Sequence, residues 1–357
     1  VKPTVHSRRG NTLSSSLGFG ERLFATSEEK RFIDAIETGL EQVELGLIRE
    51  TRFADNLADV TSRYLLDAGG KRVRPVLTLL TAHLGAGIND AVITAAEAVE
   101  ITHLASLYHD DVMDDAQMRR GVPTAQNVWG NSVAILTGDL LFARASKLIA
   151  SLGERAISLQ ANTFERLCLG QLHETIGPGN NDDPIDHYLQ VLADKTGSLI
   201  ATAAEVGVIF ADAPPSYTEP VRTFGEKVGV AFQLVDDIID LAPSDEQTGK
   251  KPGTDLRAGV ATLPLLYLRR AALTDTHAAE LLHRIDSELE RSFTGGSDDT
   301  HLTSAIDALR EHEVTGQTLA EARRWSAEAV AALEPLPAGP VKKALTRFAE
   351  SVIDRTN

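Results

Sequence analysis

One cysteine, Cys168, stands in 357 residues. It has no partner for an internal disulfide and no companions for a thiolate zinc centre, which suits a reducing compartment, the cytoplasm in the simplest case. Equally missing is an uninterrupted apolar run of the roughly 20 residues that a membrane-spanning helix requires. Any contact with a membrane is expected to be peripheral. Positive charge is scarce as well: 35 Lys and Arg stand against 51 Asp and Glu, a formal net charge of −16, whereas a nucleic-acid backbone demands a basic surface. Nucleic acid is thereby excluded as the main partner, and an anionic ligand needs a local basic pocket or a metal bridge. The stretch VKPTVHSRRGNTLSSSLGFG lacks the apolar segment of a secretory signal, and residues 1–25 read as a disordered tail. Few stretches alternate β-branched and polar residues, and no repeat of about 20–50 residues marks a solenoid.

What the chain does have is helical periodicity. Apolar residues recur at spacings of three and four, with Ala, Leu and Glu abundant. Helices are expected at about 28–50, 52–68, 75–85, 90–117, 131–151, 154–176, 185–211, 216–241, 262–291, 302–312, 315–333 and 338–355. The fold class is therefore all-α, and apolar and charged fractions of 43% and 24% are those of a soluble globular protein. Breaks such as AGGKRVRP, GPGNNDDP and TGGSDD are ordinary loops, none biased enough to be a domain linker. Ala242–Ala261 is exceptional in length, and loops of that size are usually functional.

Two acidic clusters interrupt apolar helices. YHDDVMDD, residues 108–115, follows the run EITHLASLY. At helical spacing Asp110 sits over Asp114 and Asp111 over Asp115, and each like-charge pair costs roughly 0.2–0.5 kcal/mol. Something positive should therefore face them. FQLVDDIIDLA, residues 232–242, repeats the DDxxD spacing with Asp236, Asp237 and Asp240. One such cluster alone is more often a solvated face. Two clusters on separate apolar helices favour inward-pointing carboxylates in a helical bundle, where hard oxygen ligands suit Mg²⁺ shared with substrate phosphates. Neither cluster has the Gly and Glu positions of an EF-hand.

Cations come in short bursts. GGKRVRP, residues 69–75, is expected to end one helix at Gly69-Gly70 and start the next at Pro75, which puts Lys71, Arg72 and Arg74 at a helix N-terminus favourable to anions. Arg119 and Arg120 follow the first acidic cluster. Lys195-Thr196 lies in DKTGS and Lys250 in GKKPGTD. Each alone reads as a solvated surface group; together with two acidic clusters they read as cations for a ligand's phosphate groups.

These residues resemble the trans-polyprenyl diphosphate synthases of the all-α isoprenoid synthase fold. GGKRVRP, HLASLYHDDVMDDAQMRRG, VAILTGDLL, KTGSLI, FQLVDDIIDL, GKKPGTDLRAG and TLPLLYL follow in the family's order across about residues 50–270. The resemblance implies one synthase domain over 26–357, a homodimer, and Mg²⁺ held by Asp110, Asp111, Asp114, Asp236, Asp237 and Asp240. It implies an allylic diphosphate touched by Arg119, Lys195, Thr196, Gln233 and Lys250. Isopentenyl diphosphate would lie on Lys71, Arg74, His103 and Arg120. His103 alone reads as an ordinary core or surface histidine; the family places a histidine seven residues before the first aspartate. One family lysine is replaced by Val260, so a phosphate contact is absent there, and the extra acid Asp115 is expected to face solvent or stand behind the ligands.

The chemistry implied is ionisation of the allylic C–O bond, attack by the isopentenyl double bond, and loss of a proton to the released diphosphate. No covalent protein nucleophile is needed. Product length is read from the residues beneath the first cluster. Ala105 and Ser106, five and four positions before Asp110, and Thr102 above them are small, so a growing chain has room along the helix, at about 1.5 Å per residue. A product of about C35 to C50, the size of a quinone side chain, is expected. The other reading of these small residues is close helix packing. A short-chain synthase, a terpene cyclase, a non-catalytic subunit that binds prenyl diphosphates and an acidic cation-binding scaffold are the rivals. The cyclase has no need of GGKRVRP, and non-catalytic subunits tend to lose the aspartates.

Overall fold

The computed structural model describes residues 26–242, 252–293 and 300–355. The expected tail over 1–25, and Lys250, lie outside the described residues. In chain order the helices are α1 (Ser27–Glu50), α2 (Asn56–Asp67), α3 (Val73–Ala82), α4 (Asp90–Met113), α5 (Ala125–Trp129), α6 (Asn131–Ser151), α7 (Glu154–Ile176), α8 (Pro184–Leu192), α9 (Ser198–Phe210), α10 (Thr218–Asp240), α11 (Thr254–Arg257), α12 (Leu263–Ala271), α13 (Thr276–Phe293), α14 (Thr300–Glu311), α15 (Glu313–Ala332) and α16 (Pro340–Asp354). Among the described residues the sheet content is one hairpin, β1 (Met118–Arg119) antiparallel to β2 (Val122–Pro123), with Arg119 opposite Val122. The fold is all-α, as the periodicity indicates. None of the described helices is long and apolar enough to cross a membrane.

Three of the departures from the expected boundaries have a local reason. The stretch 262–291 is two helices, because Asp275 accepts hydrogen bonds from the N–H groups of His277 and Ala278 and so starts α13 afresh. The expected helix 90–117 stops at Met113, since Asp115 takes a left-handed conformation at φ 48°. Within 185–211 a π-helical turn, Ala193–Gly197, separates α8 from α9. The long loop after Ala242 is not structureless either, for its described part contains α11.

The described residues divide into two compact units. The first takes the residues up to Glu165, Leu199–Gly225 and Ala332–Ser351. Its axis is α4, buried on nearly every face, as a helix is when apolar residues surround it. It packs along α6 and is flanked by α1 and α3, over a core of Val43, Leu47, Leu65, Ile101, Leu104, Tyr108 and Leu141. Asn89 caps its start by accepting from the Val92 N–H at 2.9 Å. Near its other end the buried Tyr108 hydroxyl donates to the Thr61 carbonyl and accepts from the Leu65 N–H at 3.2 Å, which fixes the acidic end of α4 against α2. The hydroxyls of Thr78 and Thr81 on α3 donate to the carbonyls of Ala203 and Ala204 on α9, at 2.7 and 2.8 Å. That approach requires Gly207, where a Cβ would stand 2.3 Å from the Thr78 carbonyl oxygen.

The second unit comprises Arg166–Ser198, Glu226–Ala331 and the residues from Val352 on. Here α8 starts on the Asp183 cap with Pro184 at its first position, a pre-formed start for a helix. Arg166 clamps the π-helical turn by binding Asp194 at 2.7 Å and Glu226 at 2.6 Å. The helix α12 packs on α8 and on α13, and α13 packs on α14.

Candidate active site

In the first unit the acidic cluster lies at the C-terminal end of α4, where the helix dipole already disfavours negative charge. Asp110 occupies the last turn and Asp114 caps it, its N–H donating to the Asp110 carbonyl at 2.8 Å. Asp115 leaves the helical path and faces solvent, so the stacking of Asp111 on Asp115 expected from spacing does not form. The positive group that the cluster requires is Arg119 on β1, whose Nε and Nη2 both reach Asp111 Oδ1, at 2.7 and 2.6 Å. Asp111 is fully buried; burial raises its carboxyl above the usual range and Arg119 opposes that rise. Its other oxygen, Oδ2, is buried without a hydrogen-bond partner. An unsatisfied hard oxygen beside two more carboxylates fits a divalent cation of the Mg²⁺ type.

The cations of GGKRVRP take different tasks. The helix α3 begins at Val73, two residues before the start expected at Pro75. Arg72 sits in a left-handed conformation at φ 51°, with its guanidinium on Glu44 and, at 3.4 Å, on Glu100, so it anchors the loop. Arg74 is different: its Nε is buried and makes no hydrogen bond, and burial pulls its pKa down to about 10. It is still a cation at neutral pH. Burial, followed by the fields of Arg74, Arg120, Arg119 and Arg72, pushes His103 well below the ordinary imidazole range, so it is a neutral donor and acceptor there. Arg120, at φ 52°, donates to the carbonyls of Leu65, at 2.7 Å, and Gly69, and thereby holds the loop that carries the exposed Lys71. The structure thus gathers Arg74, His103, Arg119 and Arg120 in the first unit.

Along α4 the residues expected to leave room for a chain are not equivalent. Ala105 is fully buried in the apolar core. Thr102 is buried and accepts from Gln160 Nε2 at 3.0 Å. Ser106 is half-buried, its hydroxyl donating to the His103 carbonyl at 2.9 Å.

In the second unit each aspartate of the second cluster has a protein partner. Asp236 binds Arg355 at 2.7 Å, and that guanidinium lies 4.4 Å from the centre of the Phe232 ring. Asp237 is buried and accepts from the Tyr188 hydroxyl at 2.7 Å and from the Leu263 N–H at 3.4 Å. Burial pushes its pKa up to about 7, while those two hydrogen bonds pull the other way. Asp240 Oδ2 accepts from the Asp255 N–H at 3.1 Å. Lys195 lies in the π-helical turn and pairs with Glu174 on α7; such turns occur often at functional sites. Thr196 and Gln233 are half-buried, and Val260 is exposed.

Sequence reasoning missed Tyr188, Arg355, Glu174, Glu44 and Glu100. Tyr188 sits in an unremarked PIDHYLQ stretch and Arg355 in a helical tail without a motif, so neither carries a local signal. Glu100 offers one, as a charged residue inside the apolar run EITHLASLY, which asks for a buried cation.

The chain matches the polyprenyl synthetase family over residues 55–292. It belongs to that family. Among polyprenyl synthetases it is 39% identical over 345 residues to the nonaprenyl diphosphate synthase of Mycobacterium tuberculosis, covering 96% of this chain and 98% of that one. The geranylgeranyl pyrophosphate synthase of Corynebacterium glutamicum, solved with calcium and isoprenyl diphosphate, is 41% identical with a TM-score of 0.75, covering 90% of this chain and 96% of that one. The decaprenyl diphosphate synthase of Rhodobacter capsulatus superposes with a TM-score of 0.79 at 31% identity, over 92% of this chain and 99% of that one. As a polyprenyl synthetase, the chain carries both of its DDxxD clusters within the matched span.

Proposed function

We propose that this chain is a long-chain trans-polyprenyl diphosphate synthase, a prenyltransferase that joins isopentenyl diphosphate to an allylic diphosphate and repeats the step to about C35 to C50. The observation that carries the reading is Arg74, a half-buried cation whose Nε is buried and unpartnered, beside neutral His103 and half-buried Arg120. A buried N–H without an acceptor is costly, and an anionic group of the substrate supplies what is missing. In this reading Lys71, Arg74, His103 and Arg120 bind the diphosphate of isopentenyl diphosphate. Arg119, Lys195, Thr196, Gln233 and Lys250 bind the allylic diphosphate. Relatives of both long and short product are similar to this chain, and the small Ser106 on α4 supports the long one.

Asp110, Asp111 and Asp114, with Asp236, Asp237 and Asp240, would hold Mg²⁺, which when bound supplies positive charge to a leaving diphosphate. Arg119 and Lys195 add fixed positive charge where the leaving group gains electrons, so ionisation of the allylic C–O bond is eased. His103, kept neutral by burial and then by its cationic neighbours, donates to a phosphate oxygen without giving up a proton at neutral pH. The cationic loop and α4 orient the isopentenyl double bond, and the released diphosphate takes the proton lost. No side chain forms a covalent intermediate.

Exposed Ile135, Leu136 and Leu140 on α6, with Ile157 on α7, support a homodimer that covers them. The single cysteine supports a reducing, cytoplasmic setting. A quinone side chain is the proposed destination of the product. The test is incubation of purified protein with Mg²⁺, radiolabelled isopentenyl diphosphate and geranyl, farnesyl or geranylgeranyl diphosphate, followed by sizing on reversed phase. A ladder of long products is expected. Termination after one or two additions would establish a short-chain synthase instead, and no incorporation by folded protein would move the reading to a partner-dependent subunit.

A further inference from the structure

Far along the chain from both aspartate motifs, the turn before α13 and the turn before α15 bring three metal-ligating side chains of the second unit together. Asp275, His277 and His312 each place a ligand atom within 4.8 Å of the other two. The two imidazole rings lie nearly parallel, 8° apart in plane and 5.8 Å between centres. Asp275 and His277 are exposed and His312 is half-buried, so water and ions reach the group.

We infer that Asp275, His277 and His312 form a binding site for a borderline divalent ion of the Zn²⁺ class, one that ties the α12–α13 turn to the α14–α15 turn. The donor set decides the class. Two imidazole nitrogens and one carboxylate suit zinc, cobalt or nickel, whereas Mg²⁺ prefers an all-oxygen shell. Three protein ligands leave a fourth position for water. Metal–ligand bonds of about 2.0–2.2 Å can be reached from within that 4.8 Å span by closure of the group, which exposed side chains accomplish by rotation.

The present hydrogen bonds of the group are compatible with that closure. Asp275 caps α13, its Oδ1 accepting from the His277 N–H at 3.1 Å and its Oδ2 from the Ala278 N–H at 3.2 Å. A carboxylate oxygen accepts more than one partner, so the cap persists while one oxygen also binds a cation. His312 Nδ1 accepts from the Val314 N–H at 3.3 Å, a long contact and the one polar interaction that metal binding at this ring would displace. The cap also fixes the backbone of His277 next to the carboxylate, so two of the three ligands are pre-positioned by the start of one helix.

The test uses full-length protein stripped of metal and titrated with Co²⁺ in excess Mg²⁺, which saturates oxygen-only sites. One equivalent of Co²⁺ is expected to give visible ligand-field bands, to be displaced by Zn²⁺, and to be lost in His277→Ala, with condensation activity in Mg²⁺ unchanged. X-ray absorption of the Zn²⁺-loaded wild type provides a reading independent of any variant: about two imidazoles per zinc are expected. Absence of the bands, the same bands in His277→Ala, or an oxygen-only zinc shell would overturn the site.

Discussion

Arg119 places two of its nitrogens on a single oxygen of Asp111 and leaves the second oxygen, buried, without any partner. The pair is asymmetric in a useful way: one oxygen is neutralised by the protein, and the other is directed to a ligand. Replacing Arg119 with Leu leaves a buried carboxylate uncompensated, a change that costs about 3 kcal/mol. The melting temperature in chelator should fall by several degrees, and saturating Mg²⁺ should restore most of the loss, because a cation on Asp111 replaces the missing charge. Equal losses with and without Mg²⁺ would mean that Asp111 is a structural partner only.

Glu97 on α4 gives a pH dependence that the reaction does not involve. It is buried, lies against Gly46, where a Cβ would stand 1.7 Å from its Oε1, and reaches the exposed Arg49 only at 3.4 Å. Burial pushes its pKa up to about 7 from the 4.5 of an ordinary glutamate. The folded state therefore binds a proton that the unfolded chain has lost across that interval. Stability from the protonated form is full below pH 4.5 and declines as pH rises to about 7. Glu97→Gln should stabilise the protein at pH 8 by on the order of 1–2 kcal/mol and leave it unchanged at pH 4. Urea midpoints at the two pH values check this, and an equal gain at both would refute it.

Tyr188 offers a third test, through its hydroxyl on Asp237. The hydrogen bond favours the ionised carboxyl against the burial that opposes it. In Tyr188→Phe the carboxylate loses a hydrogen bond of the charged class, worth roughly 1.5–3 kcal/mol. The Mg²⁺ concentration for half-maximal isopentenyl incorporation should rise about tenfold or more, with the far-ultraviolet circular dichroism unchanged. A lower rate at an unaltered Mg²⁺ requirement would assign Tyr188 a packing role.

The parts of this molecule legible in the sequence are those whose signal is local. The period of α4 and α10, the interruption of each by DDxxD and the punctuation of GGKRVRP all lie within a few residues of one another, so they were readable without tertiary information. A cation facing the first cluster was foreseeable too, since acids at helical spacing demand one, but that Arg119 binds Asp111 was not. Not legible were the partners that arrive from far along the chain: Tyr188 for Asp237, Arg355 for Asp236 and Glu174 for Lys195. Nor could spacing show that Asp115 turns away at φ 48°, or that Asp275 divides one expected helix into α12 and α13. Ala105 and Ser106 are adjacent and equally small, and only the packing around α4 separates their roles.

That separation gives the test of product length. Ala105 is closed into the core with Leu104 and Tyr108, while Ser106 is half-buried, with its hydroxyl turned back to the His103 carbonyl. A ring added at Ala105 overpacks the core, and such insertions cost typically about 1–3 kcal/mol. Ala105→Phe should therefore lower the melting temperature more than it changes the product. A ring added at Ser106 lies one turn beneath Asp110, about 6 Å along the helix, on the route proposed for the growing chain. Ser106→Phe should retain the first condensations, keep the melting temperature within a degree or two, and end the ladder several isoprene units earlier. If both variants gave the wild-type ladder, the small residues of α4 would serve close packing alone. The limit on chain length would then have to be sought away from this helix, with Phe142 and Phe164, whose rings meet at 4.0 Å, as the first pair to truncate.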